Sequence, residues 1–201
     1  MHTLGKVLFG SVKVECGSFT VHGKTIKNEG QAMGELIGYV AKDRDTESLV
    51  LDASIKDNIS VAGLDKFAVA GNILTSKNEK KYVKEQINLL SIKCASMEQN
   101  VSALSGGNKQ KVVFGKWIGR GSEILILDCP TRGVDIGVKQ AMYQLMYQMK
   151  KEGKSILLIS EEMAELIGMS DRLIVMKDGK ISKEFTRSSE FSEADIIEYM
   201  I

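Results

Sequence analysis

Absences define much of this chain. Its 201 residues include a single proline, Pro130, and two histidines, His2 and His22. Glycine and polar clusters must therefore supply most of the punctuation between elements, and so few imidazoles argue against a histidine-based metal site. The three cysteines, Cys16, Cys94 and Cys129, are odd in number, widely spaced and without a C-x-x-C pair. They read as reduced thiols rather than as a disulfide or zinc framework. No run of about 18 apolar residues occurs, so no membrane-spanning helix is expected. Lys6 is not followed by the long apolar stretch of a signal peptide, and the expected location is the cytoplasm. Charge of one sign is missing too: 27 basic side chains face 26 acidic ones. That balance provides no electrostatic reason for a nucleic-acid or anionic-membrane surface.

What is present is an ordinary globular composition, 43% hydrophobic and 26% charged, on a length that favours one domain with a proper core. Residues 4–10 read as the end of a short helix closed by Gly10. Phe19, Val21 and Ile26 flank His22-Gly23-Lys24, which predicts two short strands joined by a tight turn. Residues 28–36 are weakly helical, Ile37 to Val40 is a short strand, and Lys42 to Glu47 is a charged loop. From Ser54 to Ile118 the patterns are helical, with Val83, Ile87 and Leu90 on one face of a helix over 78–92. The pattern then changes. Ile124 to Leu127 and Ile156 to Ile159 are continuous apolar runs, expected as strands buried on both faces. Between them a helix runs from about Asp135 to Lys151, ended by Gly153. A short helix over 162–167 follows. Leu173 to Met176 and Ile181 to Phe185 flank Asp178-Gly179, a hairpin signal. Ser192 and Asp195 have capping-box spacing for a last helix over 193–200. Strand, helix, strand, helix is the grammar of a parallel α/β sheet.

Three segments can carry chemistry. In Leu104-Ser105-Gly106-Gly107-Asn108-Lys109-Gln110, a hydroxyl and two glycines open a helix, so bare N–H groups and the helix dipole can meet an anion. By itself Ser-Gly-Gly is more often an ordinary capped helix start. Asp128 ends the apolar strand Ile124 to Leu127, where ligands bind in parallel α/β sheets and where a carboxylate can hold Mg²⁺. Strands also end in Asp for turn reasons. Pro130-Thr131-Arg132-Gly133-Val134-Asp135 follows at once, and Asp135 has the place of a helix N-cap.

Together these segments resemble the ABC ATPase family, and their wording resembles the second ATPase half of ribose- and galactose-type sugar importers. The resemblance extends to Lys6-Val7-Leu8-Phe9-Gly10, to Asp43-Arg44, and to Met169 through Met176. It implies a P-loop NTPase-like α/β core in two stretches, 1–53 and 119–201, with a helical subdomain carrying the signature motif inserted between them over 54–118. It also implies ATP and Mg²⁺ as ligands. The partners implied are a second ATPase half and membrane-spanning permease subunits, with the assembly peripheral on the inner face of the cell membrane. Ser105, Gly106, Gly107, Asn108 and Gln110 would meet ATP bound to the facing half. Asp128, at the end of the Walker B strand, would be the Mg²⁺-associated carboxylate, and Asp135 would lie in the loop coupling the two sites.

Several positions depart from the family pattern. The G-x-x-x-x-G-K-[ST] loop that cradles phosphates is absent from these residues. Met1-His2-Thr3 stands where it should end, so its strand and the family's N-terminal sheet are expected to be missing with it. Gly23-Lys24-Thr25 is a decoy: Ser18 stands where the first glycine is needed, and Gly23 sits in a hairpin turn. Cys129 replaces the glutamate that polarises the attacking water, a change typically costing 10²–10⁴-fold, on the order of a lost general base. Glu161 stands at the switch histidine, and Lys42 at the loop Gln or Glu. Losing four phosphate-loop hydrogen bonds of roughly 1.5–3 kcal/mol each removes about 6 kcal/mol or more, on the order of 10⁴-fold in affinity. The chain alone is therefore expected neither to bind nor to hydrolyse ATP well. Without a P-loop strand, the strands Ile124 to Leu127 and Ile156 to Ile159 are expected to expose edges or faces, inviting aggregation or completion by a partner. The competing reading is a non-catalytic interaction protein or inert remnant. A DNA- or ribosome-associated relative would want a basic surface or long charged linker, and neither is present.

Overall fold

The computed structural model describes residues 1–68, 73–187 and 192–200. Helix α1 (His2–Phe9) ends on Gly10, whose φ of 84° is the left-handed cap expected of it. A Cβ there would meet the Asn28 backbone at 2.4 Å, so glycine is required twice over. Strands β1 (Thr20–Val21) and β2 (Lys24–Thr25) pair antiparallel around His22 and Gly23, both at positive φ. Lys24-Thr25 is thus strand, with Lys24 paired to Glu35 at 2.6 Å. That geometry bears out the rejection of Gly23-Lys24-Thr25 as a phosphate loop. Helix α2 (Glu29–Gly34), capped by the Asn28 side chain, leads into β3 (Ile37–Val40).

The helical region begins with α3 (Ile55–Ser60), on which Ser54 and Asp57 form a full capping box. It continues through α4 (Leu64–Phe67), α5 (Ser76–Leu89), a 3₁₀ turn over Val101–Ala103 and α6 (Gly106–Arg120). Helices α3, α5 and α6 pack together. Ile55, Ile59, Val83, Val112, Val113 and Phe114 are fully buried there. The same core continues under the sheet through Ile37, Leu125, Leu127 and Met142, so helical and sheet regions share one hydrophobic interior.

The rest is β4 (Ile124–Asp128), α7 (Ile136–Lys151), β5 (Ser155–Ile159), α8 (Met163–Met169), the hairpin strands β6 (Arg172–Lys177) and β7 (Lys180–Thr186), and α9 (Glu193–Glu198). Strands β3, β4 and β5 form a parallel sheet in that order. Two expectations need correction. Strand β4 exposes neither edge, because β3 and β5 flank it. Strand β5 is not buried on both faces: Ile156, Leu157 and Leu158 are only partly covered. It pairs with β4 alone among the described residues, so its far edge is open, as expected for that strand. The Asp178-Gly179 turn and the Ser192–Asp195 capping box form as their spacing requires. The charged loop after β3 contains an unexpected element, a single π-helical turn over Arg44–Ser48 capped by Asp43.

Candidate functional site

The carboxyl ends of three parallel strands converge, which is where α/β sheets place ligands. Strand β3 runs out into Lys42, β4 into Asp128 and Cys129, and β5 into Ser160 and Glu161. The beginning of α1 lies across them. Asp128 is fully buried. His2 Nδ1 stands 2.6 Å from its Oδ1, and the Tyr39 hydroxyl donates to Oδ2 at 3.3 Å. A carboxylate only accepts, so the imidazole proton lies on Nδ1 and the lone pair on Nε2. Nε2 accordingly accepts from the Lys42 ammonium at 3.0 Å, and Lys42 also pairs with Glu161.

These charges shape one another. Burial first, then the neighbouring Asp128 charge, pushes the Tyr39 phenol well above its ordinary range. Burial pushes the Cys129 thiol up to about 11, with Asp128 and Glu161 adding to the rise and Lys42 opposing it. The Lys42 hydrogen bond and charge lower Glu161. Cys129 is held at a φ of 48° by a tight turn: its N–H donates to Ile159 and its carbonyl accepts from Arg132. Beside it, Thr131 donates to Glu165 at 2.8 Å, and both side chains are buried.

The second group lies at the start of α6. Ser105 is the exposed N-cap, and its hydroxyl accepts from the Asn108 side chain at 3.0 Å. Gln110 is buried at 2% exposure. Arg44, on the π-helical turn, approaches Gln110 at 3.5 Å and donates to the Arg132 carbonyl at 2.9 Å. A Cβ on Gly106 would lie 2.9 Å from the Arg44 guanidinium, and one on Gly107 would lie 2.7 Å from Val138 on α7. Packing thus requires glycine at Gly107, against a branched side chain, whereas at Gly106 the neighbour is the far end of a flexible arginine. Asp135 caps α7 by accepting from Val138 at 2.9 Å.

The structure brings Asp128, Cys129, Glu161 and Lys42 together, but no hydrogen bond or ion pair among the described residues joins them directly to Ser105–Gln110. Sequence reasoning missed His2 and the bridging role of Arg44. Nothing in the sequence signals His2, which meets Asp128 across 126 positions; the Asp43-Arg44 pair is the one trace of the bridge. The ligand set also departs from a phosphate site. Both Asp128 oxygens are engaged, Glu161 adds negative charge, and among the described residues no glycine-rich helix start faces them. These strand-end groups do not by themselves fit ATP with Mg²⁺.

The ABC transporter family profile matches residues 2–132. The ribose import ATP-binding protein RbsA of Bacillus subtilis (strain 168) is 43% identical over 181 residues, 89% of this chain and 36% of that protein. Its namesake from Lactococcus lactis subsp. cremoris (strain SK11) is 41% identical over 195 residues, 96% of this chain and 39% of that protein. The chain therefore spans well under half the length of these relatives. The ATP-binding cassette MJ0796, in its dimeric post-hydrolysis state with ADP and Pi, superposes with a TM-score of 0.78 at 17% identity, covering 92% of this chain and 79% of that one. A nucleotide-free ATP-binding cassette from an ABC transporter superposes at 0.76 and 18% identity, covering 98% and 79%. At such identities the superpositions speak for the fold, the P-loop NTPase-like α/β architecture with an inserted helical region. Profile, relatives and fold agree: the chain belongs to the ABC transporter family.

Proposed function

We propose that the chain serves as the signature-bearing portion of the ATP-binding subunit of a sugar importer, acting at a nucleotide site whose phosphate loop lies on another ATPase half. The observation that carries this reading is the start of α6. Ser105 is an exposed N-cap on a 15-residue helix, and Gly106 and Gly107 are held in place by Arg44 and Val138. A fixed hydroxyl and bare N–H groups at a helix N-terminus suit an anion offered from outside the chain. The similarity to ribose import proteins supports a sugar as the cargo. No helix among the described residues is long and apolar enough to cross a membrane, in keeping with a subunit docked on separate permease subunits at the cytoplasmic face.

In this reading Asp135 lies in the loop joining the two sites, and Asp128 associates with Mg²⁺ only when the other half brings nucleotide. ATP hydrolysis by a partner half, assayed with and without this chain, tests it. The unmutated chain is expected to stimulate turnover and Ser105→Arg to abolish the stimulation. Absence of stimulation by the unmutated chain overturns the reading and leaves a non-catalytic interaction role.

A further inference from the structure

Outside that reading stands a group of side chains with different chemistry. His2, Cys129 and Glu161 place an imidazole nitrogen, a thiol sulfur and a carboxylate oxygen within 4.8 Å of one another. We infer that these three residues form a binding site for a zinc-class divalent metal ion.

The donor set selects the metal. Mg²⁺ takes oxygen ligands in octahedral array, whereas nitrogen, sulfur and oxygen donors together suit Zn²⁺ or Co²⁺ in tetrahedral coordination. The scarcity of histidine, which argued against such a site, is outweighed by where this one histidine falls.

A second, independent arrangement points the same way. Ligating histidines usually donate their other ring N–H to a carboxylate, which fixes the tautomer and raises ligand basicity. His2 does this already, through Nδ1 to the fully buried Asp128 at 2.6 Å. Nε2 is therefore the nitrogen left for a metal, and Glu161 Oε1 lies 3.4 Å from it. That point now holds a cation, the Lys42 ammonium, bonded to both groups. Cys129 closes the third side. It is 7% exposed, at the end of β4 beside Asp128, and its sulfur lies within 4.8 Å of the other two donors. On binding, the thiol proton leaves to solvent as the sulfur–metal bond forms, and Lys42 swings out on its four-carbon stem. Water supplies the fourth ligand.

Titration of the metal-free chain with Co²⁺, then displacement by Zn²⁺, tests the site in a Cys16→Ser/Cys94→Ser background that leaves Cys129 as the sole thiol. The expected result is one equivalent of Co²⁺ with an intense thiolate-to-cobalt charge-transfer band and tetrahedral visible bands, bleached by Zn²⁺. Cys129→Ser should abolish the charge-transfer band, and His2→Ala should weaken binding at least ~tenfold. Asp128→Asn should weaken it about 10–100-fold. Lys42→Met, which removes the competing cation, should tighten it. Circular dichroism on each variant separates lost ligands from lost fold. A weak octahedral spectrum without the charge-transfer band, or affinity unchanged in both Cys129→Ser and His2→Ala, overturns the assignment. The titration needs neither nucleotide nor partner, so its failure and that of the proposed function are distinguishable.

Discussion

The guanidinium of Arg44 donates to the carbonyl oxygen of Arg132, 88 positions along the chain, at 2.9 Å. Through that bond, the turn after β3 and the loop after β4 are tied to the start of α6, where Gly106 lies against the same guanidinium. The two glycines of the signature segment differ in what they lie against, and that difference is measurable.

A methyl group on Gly107 meets the branched Val138 side chain at 2.7 Å, while one on Gly106 meets the mobile end of Arg44 at 2.9 Å. Overpacking against a fixed side chain typically costs about 1–3 kcal/mol. Gly107→Ala should therefore destabilise the chain in urea by about that much, and Gly106→Ala by less than about 1 kcal/mol, since the arginine can shift and alanine favours helix. Val138→Ala should rescue Gly107→Ala non-additively in a double-mutant cycle. Equal costs for the two glycine variants would contradict the packing account.

Lys116 carries a pH prediction. Burial lowers its ammonium from 10.5 to about 8, while its Nζ donates to the Ser48 carbonyl at 2.7 Å. The folded state then binds fewer protons than the unfolded one between those two values, so stability rises with pH across that window. Below about 8 both states are charged and the penalty is fully present; above 10.5 it is gone. The stability of the unmutated chain relative to Lys116→Met should rise by at most about 3 kcal/mol over the window. Denaturant melts of both proteins at stepped pH measure it, since other groups cancel in the difference.

The open side of β5 should be visible in hydrogen exchange. Among the described residues, strand β4 is bonded on both sides and β5 on one. Amides of β5 directed away from β4 should exchange at least ~tenfold faster than those of Leu125 to Leu127, which should approach the global rate. Uniform protection across both strands would mean that another segment covers the edge.

The capping box at the start of α3 offers a simpler check. Ser54 accepts from Asp57 N–H at 3.0 Å while Asp57 accepts from Ser54 N–H at 3.3 Å. Ser54→Ala should cost about 0.5–2 kcal/mol by thermal or chemical denaturation.

Local chemistry was legible in the sequence wherever a turn or cap dictated it. Gly10, His22-Gly23, Asp178-Gly179 and Ser192 each impose a backbone geometry within a few residues, and each does so in the structure. The parallel core followed from the apolar runs Ile124 to Leu127 and Ile156 to Ile159. What the runs do not encode is rank within the sheet. Both are apolar, yet one strand is central and the other marginal, because strand order depends on where β3 docks. The π-helical turn at Arg44–Ser48 was invisible for a related reason, since its five residues, charged and hydroxylated, carry no apolar periodicity. At the strand ends, the motif positions single out Asp128, Cys129, Glu161 and Lys42. His2, which meets Asp128, Lys42 and Glu161, escapes such reading, as its contact with Asp128 spans more than a hundred positions and leaves no local pattern.

The C-terminal segment has an interior of its own. Leu173, Val175 and Ile196 are buried together, with Met163, Leu166, Ile167, Phe185 and Tyr199 around them. Helix α8 supplies the first three of those surrounding residues, while its last residue, Met169, packs on the main core. This one short helix thus lays side chains against both hydrophobic clusters, which are of very unequal size. It begins two residues after Glu161, at the rim of the charged cluster, and its buried Glu165 accepts from Thr131 in the loop after β4, so one helix adjoins the strand-end charges and both apolar interiors.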